Sequence, residues 1–283
     1  MAAAKHRVLG LGEVLWDVFP EGERLGGAPA NFAVQAALMG AEAFLVSCVG
    51  QDPRGELAIR QLRRRSVNTD FVSRCSQPTG TVDVTLIDGQ PEYLIREDVA
   101  WDHCQWNASL DELASSVDAV CFGTLFQRSA TSLQTTAKFL QATREDCLRV
   151  LDVNLRQSFF GSATIERSLG LANVLKLNDE ELPVVAEIAG VDPDPESASR
   201  TLLVKYDLDL VALTCGSRGA LLTSATEQDH CPALKIELSD PVGAGDAFTA
   251  SVVMGLLDEH PIKTLNENAN QAAAKACLWS RDS

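Results

Sequence analysis

No two of the eight cysteines are spaced as Cys-x-x-Cys, and none pairs with one of the four histidines at a metal-ligand spacing. That excludes a zinc ribbon or a thioredoxin-like redox pair. Cys48 and Cys121 lie inside apolar runs, where a free thiol packs as a small hydrophobe, so a reduced, cytoplasmic protein is expected. Positive charge is scarce: 24 Lys and Arg stand against 39 Asp and Glu, a formal net charge of -15. Phosphate backbones and anionic lipid therefore find no general attraction, and neither nucleic acid nor a membrane is expected as a partner. Met1 to Arg7 lack the apolar stretch of a signal peptide, and no segment reaches the roughly 18 apolar residues that cross a bilayer. Internal repeats and Pro/Gly/Ser-rich linkers are absent as well, so residues 1–283 are expected to form a single domain. The one basic cluster, Arg63-Arg64-Arg65, closes an amphipathic stretch begun near Glu56, where it suits the negative end of a helix dipole.

Short apolar runs alternate with amphipathic stretches, the pattern of an α/β protein with a mainly parallel sheet. Strands are expected at Val8 to Gly12, Ala43 to Val49, Val117 to Phe122, Leu148 to Val153, Val174 to Leu177 and Leu210 to Thr214. Helices are expected at Ala30 to Met39, Glu56 to Arg65, Ala130 to Thr143, Asp179 to Ala189 and Pro195 to Tyr206. Two segments break the alternation, Glu13 to Leu25 and Thr79 to Arg96. The second reads as two period-2 strands about an Asp88-Gly89 turn, too close for a crossover helix. Together they predict a small β lid, formed by about 13–25 and 79–96, whose apolar face needs a partner: the core, or the same lid of a second subunit in a homodimer.

The strongest local signal is Asp240-Pro241-Val242-Gly243-Ala244-Gly245-Asp246-Ala247-Phe248, which leads into an apolar run. Gly243, Ala244 and Gly245 let backbone N–H groups converge at a helix N-terminus, an anion site. Asp246 there either caps the helix or faces a substrate hydroxyl and takes its proton beside a phosphate in transfer. No Walker A loop occurs, and Gly243-Ala244-Gly245 lacks the third glycine of a dinucleotide fingerprint. Near the other end, Gly26-Gly27-Ala28-Pro29-Ala30-Asn31 permits close backbone approach to a ligand, with Asn31 able to donate to and accept from a hydroxyl. By itself this is equally a tight turn with a proline opening a helix.

The two motifs together resemble the N- and C-terminal signatures of the ribokinase (PfkB) family of carbohydrate kinases, fructokinase-like members above all. The resemblance spans nearly the whole chain. It implies a three-layer α/β/α sandwich with a small β-sheet lid, and an ATP-dependent enzyme that phosphorylates a hydroxyl of a small sugar. Asp246 is then the base, and Gly243, Ala244 and Gly245 form the anion hole. Asp17, Gly27 and Asn31 hold sugar hydroxyls; Arg96 reaches the sugar from the lid unless it is simply solvated. Asp152, Asn154 and Arg156 match the family's stretch beside the substrate and phosphates, while a turn built from Asp and Asn is their bland explanation. Asn178 and Glu181 match its motif for magnesium and phosphate, Glu181 acting through water, and they serve equally as a helix cap. Thr214, Gly216 and Gly219 correspond to its nucleotide-binding turn and Asn270 to a position near adenine. Asp240 and Val242 would serve a potassium ion, although Pro241 stands where the signature usually has threonine and the sequence ends at Ser283, short of the tail many members carry. Fructose is the first substrate expected, with 2-keto-3-deoxygluconate, ribose or a nucleoside as alternatives. A catalytically silent sugar- or nucleotide-binding regulator on the same fold is the rival from another class.

Overall fold

The computed structural model describes residues 5–87, 90–236 and 243–279. Asp88, Gly89, Asp240, Pro241 and Val242, named above, lie outside the described residues. The chain begins β1 (Arg7–Leu11), β2 (Leu15–Phe19), β3 (Gly22–Gly26), α1 (Ala28–Leu38), β4 (Glu42–Gly50) and α2 (Pro53–Arg64). It continues with β5 (Val67–Asn68), β6 (Val72–Cys75), β7 (Gly80–Ile87), β8 (Gln90–Ile95), α3 (Ala108–Ala114), β9 (Ala119–Phe122), α4 (Ala130–Ala142) and β10 (Leu148–Asp152). The last part holds α5 (Ser162–Leu171), β11 (Val174–Asn178), α6 (Leu182–Ala189), α7 (Pro195–Lys205), β12 (Leu210–Thr214), β13 (Ala220–Ser224), β14 (Gln228–Cys231), α8 (Ala244–Leu257) and α9 (Ile262–Trp279).

The large sheet runs β14-β13-β12-β11-β10-β9-β1-β4-β5, with β6 also paired to β4. It is parallel from β12 through β5, and only β13 and β14 join antiparallel. Its strands read as apolar runs because both faces are covered. Leu9, Val120, Phe122, Leu151 and Leu175 point into a core shared with α3, α4, α5, α6 and α7. The alternate residues Val8, Cys121, Val150 and Val174 pack with Phe32 of α1, Phe248 of α8 and Leu265 of α9. None of the eight cysteines is in a disulfide, and no helix among the described residues is long and apolar enough to cross a membrane.

Local chemistry sets the helix starts. Asp52 accepts a bond from the Gly55 amide at 2.8 Å, Pro53 opens α2 and Glu56 sits in its first turn, so the helix begins three residues before the apolar pattern shows. Arg63 and Arg64 close it, as the dipole argument expects. The helix expected from Asp179 begins at Leu182 instead, because Asn178 folds the intervening residues into a turn and Pro183 falls in the first helical turn. Helices α3 and α5 escaped the periodicity reading; the first has seven residues and two of its apolar positions, Leu110 and Leu113, reach the core.

The second sheet has the order β3-β2-β7-β8. Asp17 pairs with Val82 and Val82 with Ile95, and both apolar residues join the main core. Asp17 thus stands on the sheet face turned to the large sheet. Arg128 anchors this sheet's end. Its guanidinium stacks on Trp101 at 3.9 Å, binds Asp102 at 2.7 and 2.8 Å, and donates to the Arg96 carbonyl at 2.6 Å.

Candidate active site

In a parallel sheet the crevice opens where strand order reverses, at the carboxyl ends of the strands. Here β1 separates β4 from β9, so the reversal falls between Glu13, just past β1, and Gly123, just past β9. A cleft lies at this point, lined by Glu13, Ala28, Phe32, Gly123, Asn154 and Asp246 among others. The N-termini of α1 and α8 both point to it, with Gly27 and Gly243 as their N-cap residues. Gly27 has φ 109°, and a Cβ there would come within 2.4 Å of the Glu13 carbonyl oxygen, so the turn demands glycine.

Asp246 occupies the first turn of α8, yet no side chain caps that helix. Its Oδ2 instead accepts a bond from Asn31 Nδ2 at 2.9 Å, which joins the two glycine motifs across 215 residues of sequence. Burial, with the charge of Asp152, pushes the Asp246 carboxyl up to about 7, against the opposing pull of Asn31, Lys176 and Arg156. Behind it Asp152 is buried with both oxygens engaged: Lys176 Nζ donates to Oδ1 at 2.9 Å and Thr249 Oγ1 to Oδ2 at 3.1 Å. Burial alone would lower the Lys176 ammonium, but Asp152, Glu181 and Asp246 outweigh it and raise it, so the lysine is a buried cation. A Cβ on Gly245 would sit 3.3 Å from its Nζ, which places this charge directly under the first turn of α8.

Along the same edge, Glu181 accepts from the Leu155 amide with Oε1 and from the Asn178 amide with Oε2, both at 2.9 Å. Asn178 Oδ1 accepts from the amides of Glu180 and Glu181 at 3.0 and 2.8 Å, which closes the turn before α6; the expected helix cap is not formed, since α6 has Glu181 as N-cap and no side-chain cap bond. Thr214 pairs with Asn178 in the β11–β12 ladder, and the turn from Gly216 to Gly219 follows at once. Gly219 has φ 100°, and a Cβ there would lie 1.9 Å from the Cys231 carbonyl oxygen.

A model described as pfkB family carbohydrate kinase matches residues 8–280. The chain belongs to that family. Within it, an uncharacterized sugar kinase of Pyrococcus horikoshii is 31% identical over 239 residues, covering 82% of this chain and 73% of that protein. A fructokinase of Klebsiella pneumoniae is 30% identical over 260 residues, covering 87% and 83%. The P. horikoshii structure in complex with ATP superposes with a TM-score of 0.80 at 27% identity, over 96% of this chain and 92% of that one.

In this pfkB chain Asp152, Asn154 and Asp246 line one cleft; Asn31 is tied to it through its bond to Asp246, and Gly27, Gly243, Ala244 and Gly245 stand at the N-termini of α1 and α8 beside it. Asp17 and Arg156 belong to the same electrostatic neighbourhood: burial raises the Asp17 carboxyl, and Arg156 and Arg24 pull it back. Arg96 is not brought in. Its guanidinium pairs with Asp83, which alternates with Val82 and so lies on the outer face of the small sheet. Asn270 is spent inside α9, donating to the carbonyl and side-chain oxygens of Asn266 at 2.9 and 3.0 Å. Three residues of the site were missed by motif reading: Glu13, Lys176 and Thr249. Lys176 carried a signal, a lone charge inside the apolar strand Val174-Leu175-Lys176-Leu177. Thr249 carried none.

Proposed function

We propose that the chain transfers the γ-phosphoryl group of MgATP to a hydroxyl of a small sugar, with Asp246 as the base and fructose as the first substrate. The observation that carries this reading is Asp246 itself, in the first turn of a helix it does not cap and held by Asn31 at the mouth of the cleft. Asp246 takes the proton of the acceptor hydroxyl as that oxygen attacks phosphorus and the bond to the ADP oxygen breaks. The free amides of Ala244, Gly245 and Asp246, with the Lys176 ammonium beneath them, face the negative charge of the group in transfer. Gly27, Asn31 and Asp17 would orient the sugar, and Asn154 and Arg156 flank it. The edge formed by Asn178, Thr214, Gly216 and Gly219 would carry the nucleotide, and the ATP complex of the P. horikoshii relative supports ATP as the donor.

Magnesium would come with the nucleotide and neutralise its phosphate charge. Glu181 has both oxygens on backbone amides and is 5% exposed, so it fits a role through bound water rather than as a direct ligand. The 30% identical Klebsiella fructokinase supports fructose as the first candidate. A coupled ADP-release assay over fructose, ribose, 2-keto-3-deoxygluconate and adenosine, with and without potassium, tests the whole reading. Fructose-stimulated ADP release is the expected result. Absence of stimulation by any of the four would overturn it.

A further inference from the structure

Glu13 lies in the turn between β1 and β2, 3% exposed. One carboxyl oxygen, Oε1, accepts a long bond from the Ala28 amide at 3.3 Å, and Oε2 is buried with no hydrogen-bond partner among the described residues. A buried carboxyl oxygen without a donor costs free energy, and a group kept only to cap Ala28 would gain by turning both oxygens to donors. Glu13 instead lines the cleft together with Asp246. The groups that face Asp246 are Asn31 from α1, Asp152 from β10, Lys176 from β11 and Arg156 from the loop after β10. Those that face Glu13 are its own backbone amide, the Ala28 amide, Arg156 and Asp246. Lys176 is bonded to Asp152, and Arg156 is exposed, where solvent weakens its field.

We propose that Glu13 is a positioning residue for the proton transfer: its free carboxyl oxygen shares the cleft with Asp246, and its charge sets the pH at which Asp246 becomes an effective base. The inference rests on Asp246 being the base. Burial pushes Glu13 up to about 7, to the same range as Asp246, and the Asp246 charge adds to that rise, so the two acids disfavour each other's ionisation in the shared cleft. An ionised Glu13 makes Asp246 hold its proton more tightly and accept one more readily, which strengthens it as a base.

Glu13→Gln keeps the shape and removes the charge. The acid limb of the kcat/KM profile for sugar should then move down by at least about half a pH unit, and the plateau kcat should fall because the base is weaker. Carboxyl carbon NMR of the substrate-free chain reads the same event without turnover: the Asp246 midpoint should drop in Glu13→Gln. By reciprocity, the Glu13 midpoint should drop in Asp246→Asn, which also covers the case in which the Glu13 variant fails to fold. Unmoved midpoints in both variants, whatever happens to kcat or Tm, would make Glu13 a cap for Ala28 and overturn the proposal. A parent chain inactive on every sugar would refute the proposed function instead, and the NMR titration would still decide the Glu13–Asp246 coupling.

Discussion

Asp246 separates two demands that one aspartate rarely meets together: a helix N-terminus favours its charge, whereas burial beside Asp152 opposes it. A carboxyl poised near neutrality is suited to take a proton in one step and lose it in the next. Asp246→Asn should keep the bond partners and the shape but lower kcat by about 100-fold to 10,000-fold, the usual range for a lost general base. Sugar and nucleotide binding, read by calorimetry, should stay within about threefold, a shift below 1 kcal/mol. The same carboxyls predict a pH trend in stability. Asp246 and Glu13 hold protons more tightly folded than unfolded, from ordinary values of 3.8 and 4.5 up to about 7. Their contribution is complete below about pH 4 and is lost as pH rises through about 7, since ionising them in place is unfavourable. Urea unfolding at pH 5 and pH 8 should show the parent losing stability over that interval, and Glu13→Gln losing less.

At the scale of elements, the edge that carries the candidate site is held together by backbone amides caught in side-chain carboxyls. Glu181 clasps the loop after β10 to the end of β11 through the Leu155 and Asn178 amides. Glutamine in its place has one acceptor oxygen, so one buried amide loses its partner at a cost of about 1–3 kcal/mol, measurable as a lower urea midpoint with unchanged slope. If Glu181 also organises magnesium through water, Glu181→Gln should raise the magnesium needed for half-maximal rate. A normal titration beside a lowered urea midpoint would confine it to the clasp. The turn into α1 has a comparable sensitivity. Gly27→Ala meets both a positive φ and the Glu13 carbonyl at 2.4 Å, so it should displace Ala28 to Asn31 and raise the sugar KM about tenfold while the ATP KM holds.

For the whole molecule, Gln157 in the loop after β10 donates to the Tyr93 carbonyl of β8, and Arg128 pins the end of β8 to the core through the Arg96 carbonyl and Asp102. We expect this sheet to act as a lid. Sugar should slow hydrogen exchange at the amides of β7 and β8 on the timescale of local opening. Equal exchange with and without saturating sugar would leave the sheet a fixed decoration. Arg96→Ala now bears on the pairing with Asp83 and should leave sugar affinity near that of the parent, in contrast to a contact made from the inner face. Calorimetry with the sugar found active decides between them. The outer face of the sheet keeps Leu94 half exposed, and a twofold pairing of lids, checked by sedimentation, would cover it.

Periodicity marked β1, β4, β9, β10, β11 and β12, because a parallel strand covered on both faces must be an unbroken apolar run, and it missed the short strands β5 and β6 and the antiparallel β13 and β14. The glycine motifs around Asn31 and Asp246 were equally legible, since a backbone that must approach a ligand or adopt positive φ narrows the choice of residue to a few. Sequence alone therefore determined the layer architecture and the kinase family, and it singled out Asp246 as the candidate base. It left two helix-end roles open for Asp246; the structure shows its carboxyl bonded to Asn31 across 215 residues of chain while Gly243 is the N-cap residue. Nor could it tell that Arg96 faces Asp83, that Asn270 is turned into its own helix, or that Lys176 and Thr249 hold Asp152 from two different elements. Those outcomes depend on which side of a strand or helix meets which neighbour, and long-range packing, not local spacing, sets that choice. Glu13 belongs with them: as one letter it is an acid near a strand end, and only burial beside a second acid gives its charge a consequence.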